Sequence, residues 1–210
     1  MNYNEDIYYE YLSRIKSYLF SKIQFILHAK FPFIFEKANS LNEEEIFQLK
    51  KGFIQYEEEQ KDLLDGYYFY RLKKRISEFE FELLMLLFFN IEDIKFNAII
   101  NKIKDPERLP FTEEDYYGIS LNEALELLLP TDKEKFILRK EFLLNSYLLK
   151  HKIINFPFTE ATDENPLIFN ENLLLSIHVI SKIIHIEKNM HEIKSEVKFA
   201  NRLKIGEEGF

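Results

Sequence analysis

Apolar residues recur at three- and four-residue steps along the first part of the chain. This spacing places them on one face of a helix. Pro32 is expected to end or kink that helix, because proline has no N–H to continue the backbone hydrogen-bond ladder. The pattern therefore predicts a long first helix whose apolar face comprises Ile7, Leu12, Ile15, Leu19, Ile23, Ile26 and Leu27.

Further helix starts are marked by capping boxes, in which Ser or Thr is followed three residues later by Glu. The hydroxyl can accept a hydrogen bond from a free N–H of the first turn, while the Glu side chain reaches back to the capping residue. Four pairs predict four helix starts: Ser40 with Glu43, Ser77 with Glu80, Ser120 with Glu123, and Thr131 with Glu134.

The last third of the chain combines helical and extended patterns. A helix from about Asp132 and a short helix from Ser146 precede two short apolar stretches, residues 153–158 and 167–169. The polar residues between these stretches indicate a loop, so the pattern predicts a two-stranded β-hairpin. The helical period then returns from Glu171 and predicts a last helix.

Leu173 and Leu174 fall on the apolar face of this last predicted helix. Two or three helices, a hairpin and another helix form the order of elements in a winged-helix unit. The predicted fold class is therefore mainly α, with a helical N-terminal section followed by a winged-helix-like unit that contains one small β-hairpin. The predicted division is a helical section at 1–105, the winged-helix-like unit at 106–187, and a charged tail or linker at 188–210.

Composition excludes several kinds of chemistry. The 210 residues include no Cys and only five Gly. Without Cys there is no thiolate nucleophile, redox pair or Cys-ligated metal. The glycines lie far apart and form no phosphate-binding loop. Runs of adjacent acids point around helices rather than converging, and the five His have no zinc-ligand spacing. We therefore expect no enzyme activity and no cofactor.

Charge and hydropathy limit the kinds of partner. The formal net charge of −8 disfavours a general nucleic-acid binder, because such proteins need a basic face. The longest apolar run, Leu83 to Phe89, has seven residues and is too short to span a membrane. The first residues carry acids where a signal peptide is positively charged, so we expect a cytoplasmic protein. Basic residues cluster locally at Arg139, Lys140, Lys150, His151 and Lys152.

Residues 68–203 resemble a known family. The segment from Ser77 to Leu86 is similar to the Ser-x-Phe-Glu-x-Asp-Leu-Leu-x-Leu segment in the N-terminal region of certain bacterial AAA ATPases. These ATPases have a winged-helix domain ahead of the ATPase core, and members occur in gene clusters for contractile injection systems. Further similar stretches are residues 123–128, 148–154, 165–176 and 199–203, with Lys152 standing where the family usually has glycine.

The resemblance implies a non-catalytic N-terminal interaction domain, because the chain holds no ATPase core. Its partner would be the ATPase core, a particle component or both, and the isolated domain would be a monomer. Two alternatives stay open: a free-standing acidic helical adaptor or immunity-type protein, and a winged-helix DNA-binding regulator. The hairpin aromatics could instead pack on the last helix. The candidate partner-contact residues are Lys150, Lys152, Phe156, Phe158, Leu167 and Phe169.

Overall fold

The computed structural model describes residues 4–30, 42–93, 96–98, 118–156 and 172–184. The predicted mainly α fold with a small β element is confirmed. The helices and strands whose first and last residues are both described are, in chain order, α1 (Glu5–Lys30), α2 (Glu43–Glu59), α3 (Lys61–Leu64), α4 (Tyr68–Lys73), α5 (Glu78–Glu92), β1 (Ile119–Ser120), α6 (Leu121–Leu128), α7 (Asp132–Asn145), α8 (Tyr147–Lys150), β2 (Ile154–Asn155), β3 (Asn172–Leu175) and α9 (Ile177–Ile183).

Helix α5 is the centre of the fold. Every residue from Phe79 to Asn90 is buried, so the helix has no solvent-facing side along this stretch. A helix that is apolar all round is stable only when other elements cover it. Helices α1 and α6 and strand β3 supply that cover.

Three of the four predicted capping boxes are confirmed. Ser77, Ser120 and Thr131 each accept a hydrogen bond from the backbone N–H three residues later, and the Glu at that position bonds back to the cap. The fourth predicted start is displaced. Helix α2 begins at Glu43, where Asn42 and Glu45 form the capping box, whereas Ser40 lies outside the described residues.

The three strands form an antiparallel sheet in the order β1-β3-β2. Ile119 of β1 lies opposite Leu173, and Ile154 of β2 lies opposite Leu175. The predicted antiparallel pairing after α8 is therefore present, and β1 is a third strand that the sequence pattern did not predict.

The predicted start of the last helix was wrong. Strand β2 pairs with residues 172–175, which the sequence pattern assigned to a helix, and residues 167–169 lie outside the described ranges. Helix α9 begins only at Ile177. Consecutive leucines fit a helical face and a strand equally well. In the strand, Leu173 points into the core and Leu174 points to solvent, as period-two alternation requires.

The two ends of the described chain meet in one core. The ring of Tyr8 in α1 stacks on Tyr67, with centroids 4.0 Å apart. The Tyr8 hydroxyl donates to the backbone carbonyl of Ile183 in α9 at 2.8 Å. Buried apolar side chains from the helical section and from the sheet belong to a single hydrophobic cluster.

Two buried acids of α5 bind the neighbouring helices. Glu82 accepts hydrogen bonds from the Tyr18 hydroxyl at 2.6 Å and from the Lys22 ammonium at 2.7 and 2.8 Å, both on α1. Glu80 caps the start of its own helix and also accepts from the Ser146 hydroxyl at 2.7 Å, just before α8. The acids therefore hold α1 and α8 at fixed positions along α5.

Glu80 is stabilised in its charged form. Burial alone would raise the pKa of its carboxyl, but hydrogen bonds from Ser77, Ser146 and the Leu148 N–H outweigh burial and hold the pKa below its ordinary value. A carboxyl with a lower pKa in the folded state stabilises the fold above its unfolded-state pKa. That contribution is lost as the pH falls through the folded-state value.

We expect Glu80→Gln to lower the free energy of unfolding by about 1–3 kcal/mol at neutral pH, because it replaces charge-assisted hydrogen bonds with neutral ones. The difference from the wild type should shrink as the pH falls below the ordinary glutamate pKa of about 4.3 and should be lost once the pH has fallen through the lower pKa of the folded state. Urea unfolding across this pH range measures both effects. Glu58→Gln, an exposed change on α2, is the control and should shift stability by less than about 0.5 kcal/mol. A pH-independent difference for Glu80→Gln would contradict this account.

Two glycines should respond oppositely to alanine. At Gly118 an added Cβ would lie 2.6 Å from the Cβ of Asn172 in β3, so Gly118→Ala should destabilise the protein by about 1–3 kcal/mol. At Gly52 in α2 nothing lies within 4 Å, so Gly52→Ala should stabilise it by about 1 kcal/mol. Thermal unfolding followed by circular dichroism measures the change in stability of each variant. A stabilising Gly118→Ala would show that the start of β1 does not approach β3 so closely.

Candidate functional site

The turn after α8 contains an unusual backbone conformation. Lys152 has φ = 53°, which makes it the one non-glycine residue with positive φ in the described ranges. The Lys152 N–H donates to the Leu149 carbonyl at 3.1 Å, and the Ile153 N–H donates to the Leu148 carbonyl at 2.9 Å. This pair of bonds is the Schellman helix ending, which normally places glycine where Lys152 stands. The turn forms, but with a residue that is strained there.

The other predicted contact residues have different environments. Lys150 is exposed like Lys152, and its ammonium donates to the Asn145 carbonyl at 3.3 Å. Phe156 is half-buried and packs against the core. Phe158, Leu167 and Phe169 lie outside the described residues.

A cleft lies where α4 meets α8 and β2. Its volume is about 330 Å³. Arg71 and Arg75 are four residues apart and come from α4 and the turn that follows it, while His151 ends α8. The His151 ring packs edge-on against Tyr147, with centroids 3.8 Å apart, which orients the imidazole. The lining residues are Tyr68, Arg71, Leu72, Arg75, Tyr147, His151 and Ile153.

The cations near this cleft differ in whether they are paired. Lys73 forms an ion pair with Glu57, and Lys74 pairs with Asp65 at 3.0 Å. Arg71 and Arg75 form no ion pair in the part of the chain that the structure describes. The unpaired arginines are the ones that line the cleft.

Tyr68 forms part of the aromatic wall. Burial raises the pKa of its hydroxyl, Tyr147 raises it further, and Arg75 opposes both, so the phenol stays a neutral hydrogen-bond donor. The Lys182 ammonium lies 4.8 Å from the centroid of the Tyr68 ring and adds another positive charge at this wall. The cleft is therefore positively charged with aromatic walls, on a protein whose net charge is −8.

Helix α7 has an apolar face turned toward solvent. Phe136 is 71% exposed and Leu144 is 63% exposed, while Ile137 and Leu143 are also exposed. Phe136 and Leu143 are seven residues apart, as are Ile137 and Leu144, so each pair lies two turns apart on the same side. We call these four residues the outer face of α7.

The opposite side of α7 is anchored. The Lys135 ammonium donates to Glu126 at 2.7 and 2.8 Å and to Asp132 at 2.8 Å, and Phe142 packs edge-on against Phe79. Burial would raise the pKa of the Glu126 carboxyl, but hydrogen bonds from Lys135 and from Lys30 of α1 hold it below its ordinary value. These contacts fix which side of α7 faces out.

Neither the outer face of α7 nor the arginines of the cleft were identified from the sequence. The outer face of α7 escaped notice because apolar residues occur on both sides of this helix, and spacing alone does not identify the buried side. Arg71 and Arg75 were missed because their cleft partners lie about eighty residues later in the chain. The basic residues around His151 were the one local signal.

Other kinds of site lack support in the described ranges. No group of three or more His, Asp or Glu side chains there is placed to hold a metal ion. None of the helices described is both long and apolar enough to cross a membrane.

No family model matches the chain, and neither a curated protein nor a solved structure with significant similarity is found. The resemblance to the N-terminal regions of AAA ATPases therefore stays a prediction from the sequence.

The strain at Lys152 can be measured directly. We expect Lys152→Gly to raise the free energy of unfolding by about 1 kcal/mol, because glycine adopts positive φ without a steric cost. Lys150→Gly removes the same side chain at the last residue of α8. This variant should lower the free energy of unfolding by about 1 kcal/mol, because glycine is unfavourable in a helix. Chemical denaturation compares the two variants, and a destabilising Lys152→Gly would mean that the lysine side chain itself supports the fold.

Proposed function

We propose that this chain is a cytoplasmic, non-catalytic interaction domain of the kind that precedes the core of an AAA-type ATPase in a contractile injection system. It would bind a client or a particle component through the outer face of α7. The observation that carries the proposal is that this face is apolar and exposed.

The topology supports a winged-helix-like unit. One strand, three helices and two further strands follow in the order β1, α6, α7, α8, β2 and β3, and β3 lies between the other two strands. In DNA-binding winged helices, the helix before the hairpin carries basic and amide side chains into the major groove. Here the helix before the hairpin is the single turn α8, and the longer α7 before it presents apolar side chains.

The outer face suits a protein partner better than DNA. Exposed apolar side chains that lie side by side mark protein contact surfaces. Burying one such side chain in an interface contributes about 1.5–3 kcal/mol. Phe136 has the size and rigidity typical of residues that dominate an interface.

Charge narrows the class of partner. Lys133 and Lys140 are exposed, lie seven residues apart on α7, and form no ion pair in the described ranges. Lys133 lies three residues before Phe136. Lys140 lies four residues from both Phe136 and Leu144, so both lysines are on the side of the outer face. A partner surface with apolar residues and interspersed carboxylates would complement this face.

The partner can be identified by photo-crosslinking. A photoreactive phenylalanine analogue placed at position 136 in the full chain, expressed in the source cells, should give one covalent adduct. The same analogue at Tyr9, a 75% exposed aromatic on α1, is the matched control and should give none.

Mass spectrometry of the adduct distinguishes the hypotheses. An AAA-type ATPase or a tail-like particle component supports the proposal. A toxin would favour the immunity-type alternative. The absence of any adduct would overturn the proposal, and a duplex-DNA gel shift lost on raising the salt concentration would support the regulator instead.

We expect Phe136→Ser combined with Leu144→Ser to weaken binding to the crosslinked partner at least tenfold, or about 1.4 kcal/mol or more, by removing two apolar contacts. The free energy of unfolding should not fall, because both side chains are already exposed. Titration calorimetry measures the affinity. Tyr9→Ser is the control, and unchanged affinity in the double variant would place the interface elsewhere.

A further inference from the structure

We infer that the cleft between α4 and α8 binds an acidic peptide segment in which carboxylates stand next to an apolar side chain. This inference rests on the proposed function, because it names the chemistry of a second contact with a protein partner. The cleft is separate from the outer face of α7, and no residue is shared between them.

The charges of the cleft have no counterion among the lining residues that the structure describes. Arg71 and Arg75 are both exposed, and none of the described lining residues is acidic. Their lysine neighbours in the same stretch of chain are paired with Glu57 and Asp65. Within the described ranges, Arg71 and Arg75 therefore keep their charge available to a ligand in the cleft, whereas Lys73 and Lys74 do not.

The two arginines suit a carboxylate. Arg71 lies in α4 and Arg75 lies in the turn that follows it, and both line the same cleft. A guanidinium can donate two parallel hydrogen bonds to one carboxylate, and His151 offers a third donor from α8.

The remaining lining indicates that the ligand also has an apolar part. Tyr68 and Tyr147 contribute ring surface, and Leu72 and Ile153 are buried side chains at the boundary with the core. A free inorganic anion would leave this surface uncovered. The volume of about 330 Å³ is at the small end for ligand pockets, so it fits one or two side chains of an extended segment.

Nucleic acid is a poorer occupant. Binding to a duplex depends on many phosphate contacts along an extended basic surface. This cleft is confined, and the protein around it is acidic overall. Arginine clusters that recognise short acidic motifs need only a few charges in a small recess.

Fluorescence anisotropy with the full chain tests the inference. The probe is a fluorescein-labelled, amidated peptide Gly-Ser-Asp-Phe-Glu-Asp-Gly-Ser, and its comparison peptide carries Asn and Gln in place of the acids. We expect the acidic probe to bind the wild type and the comparison peptide to bind at least tenfold more weakly. Arg71→Gln combined with Arg75→Gln should weaken binding of the acidic probe at least tenfold.

The control removes the same charge elsewhere. Lys51→Gln combined with Lys61→Gln changes two exposed lysines of α2 and α3 and should leave affinity for the acidic probe within about twofold. Equal losses in the two double variants would show a net-charge effect and overturn the inference. Displacement of the probe by inorganic phosphate at much lower concentration than by succinate would also overturn it, by identifying a phosphoryl site.

The outcomes separate this inference from the proposed function. Phe136→Ser with Leu144→Ser should leave binding of the acidic probe unchanged. If the arginine variants bind the probe like the wild type while the crosslink at position 136 persists, only the cleft assignment fails. If the probe binds the cleft and no crosslink forms, the proposed use of α7 fails.

Discussion

The complete burial of α5 is the constraint on which the rest of the structure depends. A helix without a solvent-facing side has to obtain hydrogen-bond partners for its polar groups from its neighbours, because an unpaired buried carboxylate is strongly destabilising. Glu82 obtains its partners from α1, and Glu80 obtains them from Ser146 and Leu148 at the start of α8. Two acids on one buried helix therefore determine where two different parts of the chain are placed.

This placement explains why the candidate site lies at α8. Once Glu80 fixes the start of α8, the helix can continue for only one turn before the sheet begins at Ile154, and the chain reverses through Lys152. The same constraint places His151 in the lining of the cleft together with Arg71. Helix α7 connects α6 to the fixed start of α8, so its inner side packs on the core and its outer face is exposed.

Local signals were predictable from the sequence and long-range ones were not. The capping boxes at Ser77, Ser120 and Thr131 depend on residues three apart, and they were predicted correctly. Strand β3 was not predicted, because Leu173 and its neighbours fit both the helical period and the two-residue period of a strand. Only pairing with β1 and β2 decides between helix and strand. Glu80 takes part in both kinds of contact. Its hydrogen bond with Ser77, three residues away, can be predicted from the sequence, whereas its hydrogen bond with Ser146, 66 residues away, cannot.

One local cost occurs beside the cleft and has no structural benefit that the fold explains. Lys152 occupies a backbone conformation that glycine would adopt without strain. Arg71 and Arg75, which line the cleft, form no ion pair with any of the residues that the structure describes. Natural sequences are consistent with their folds at most positions, and exceptions concentrate where function requires them. The paired lysines beside these arginines show that the protein can neutralise cations in this stretch. The arginines that line the cleft are therefore available to the acidic ligand that we infer for it.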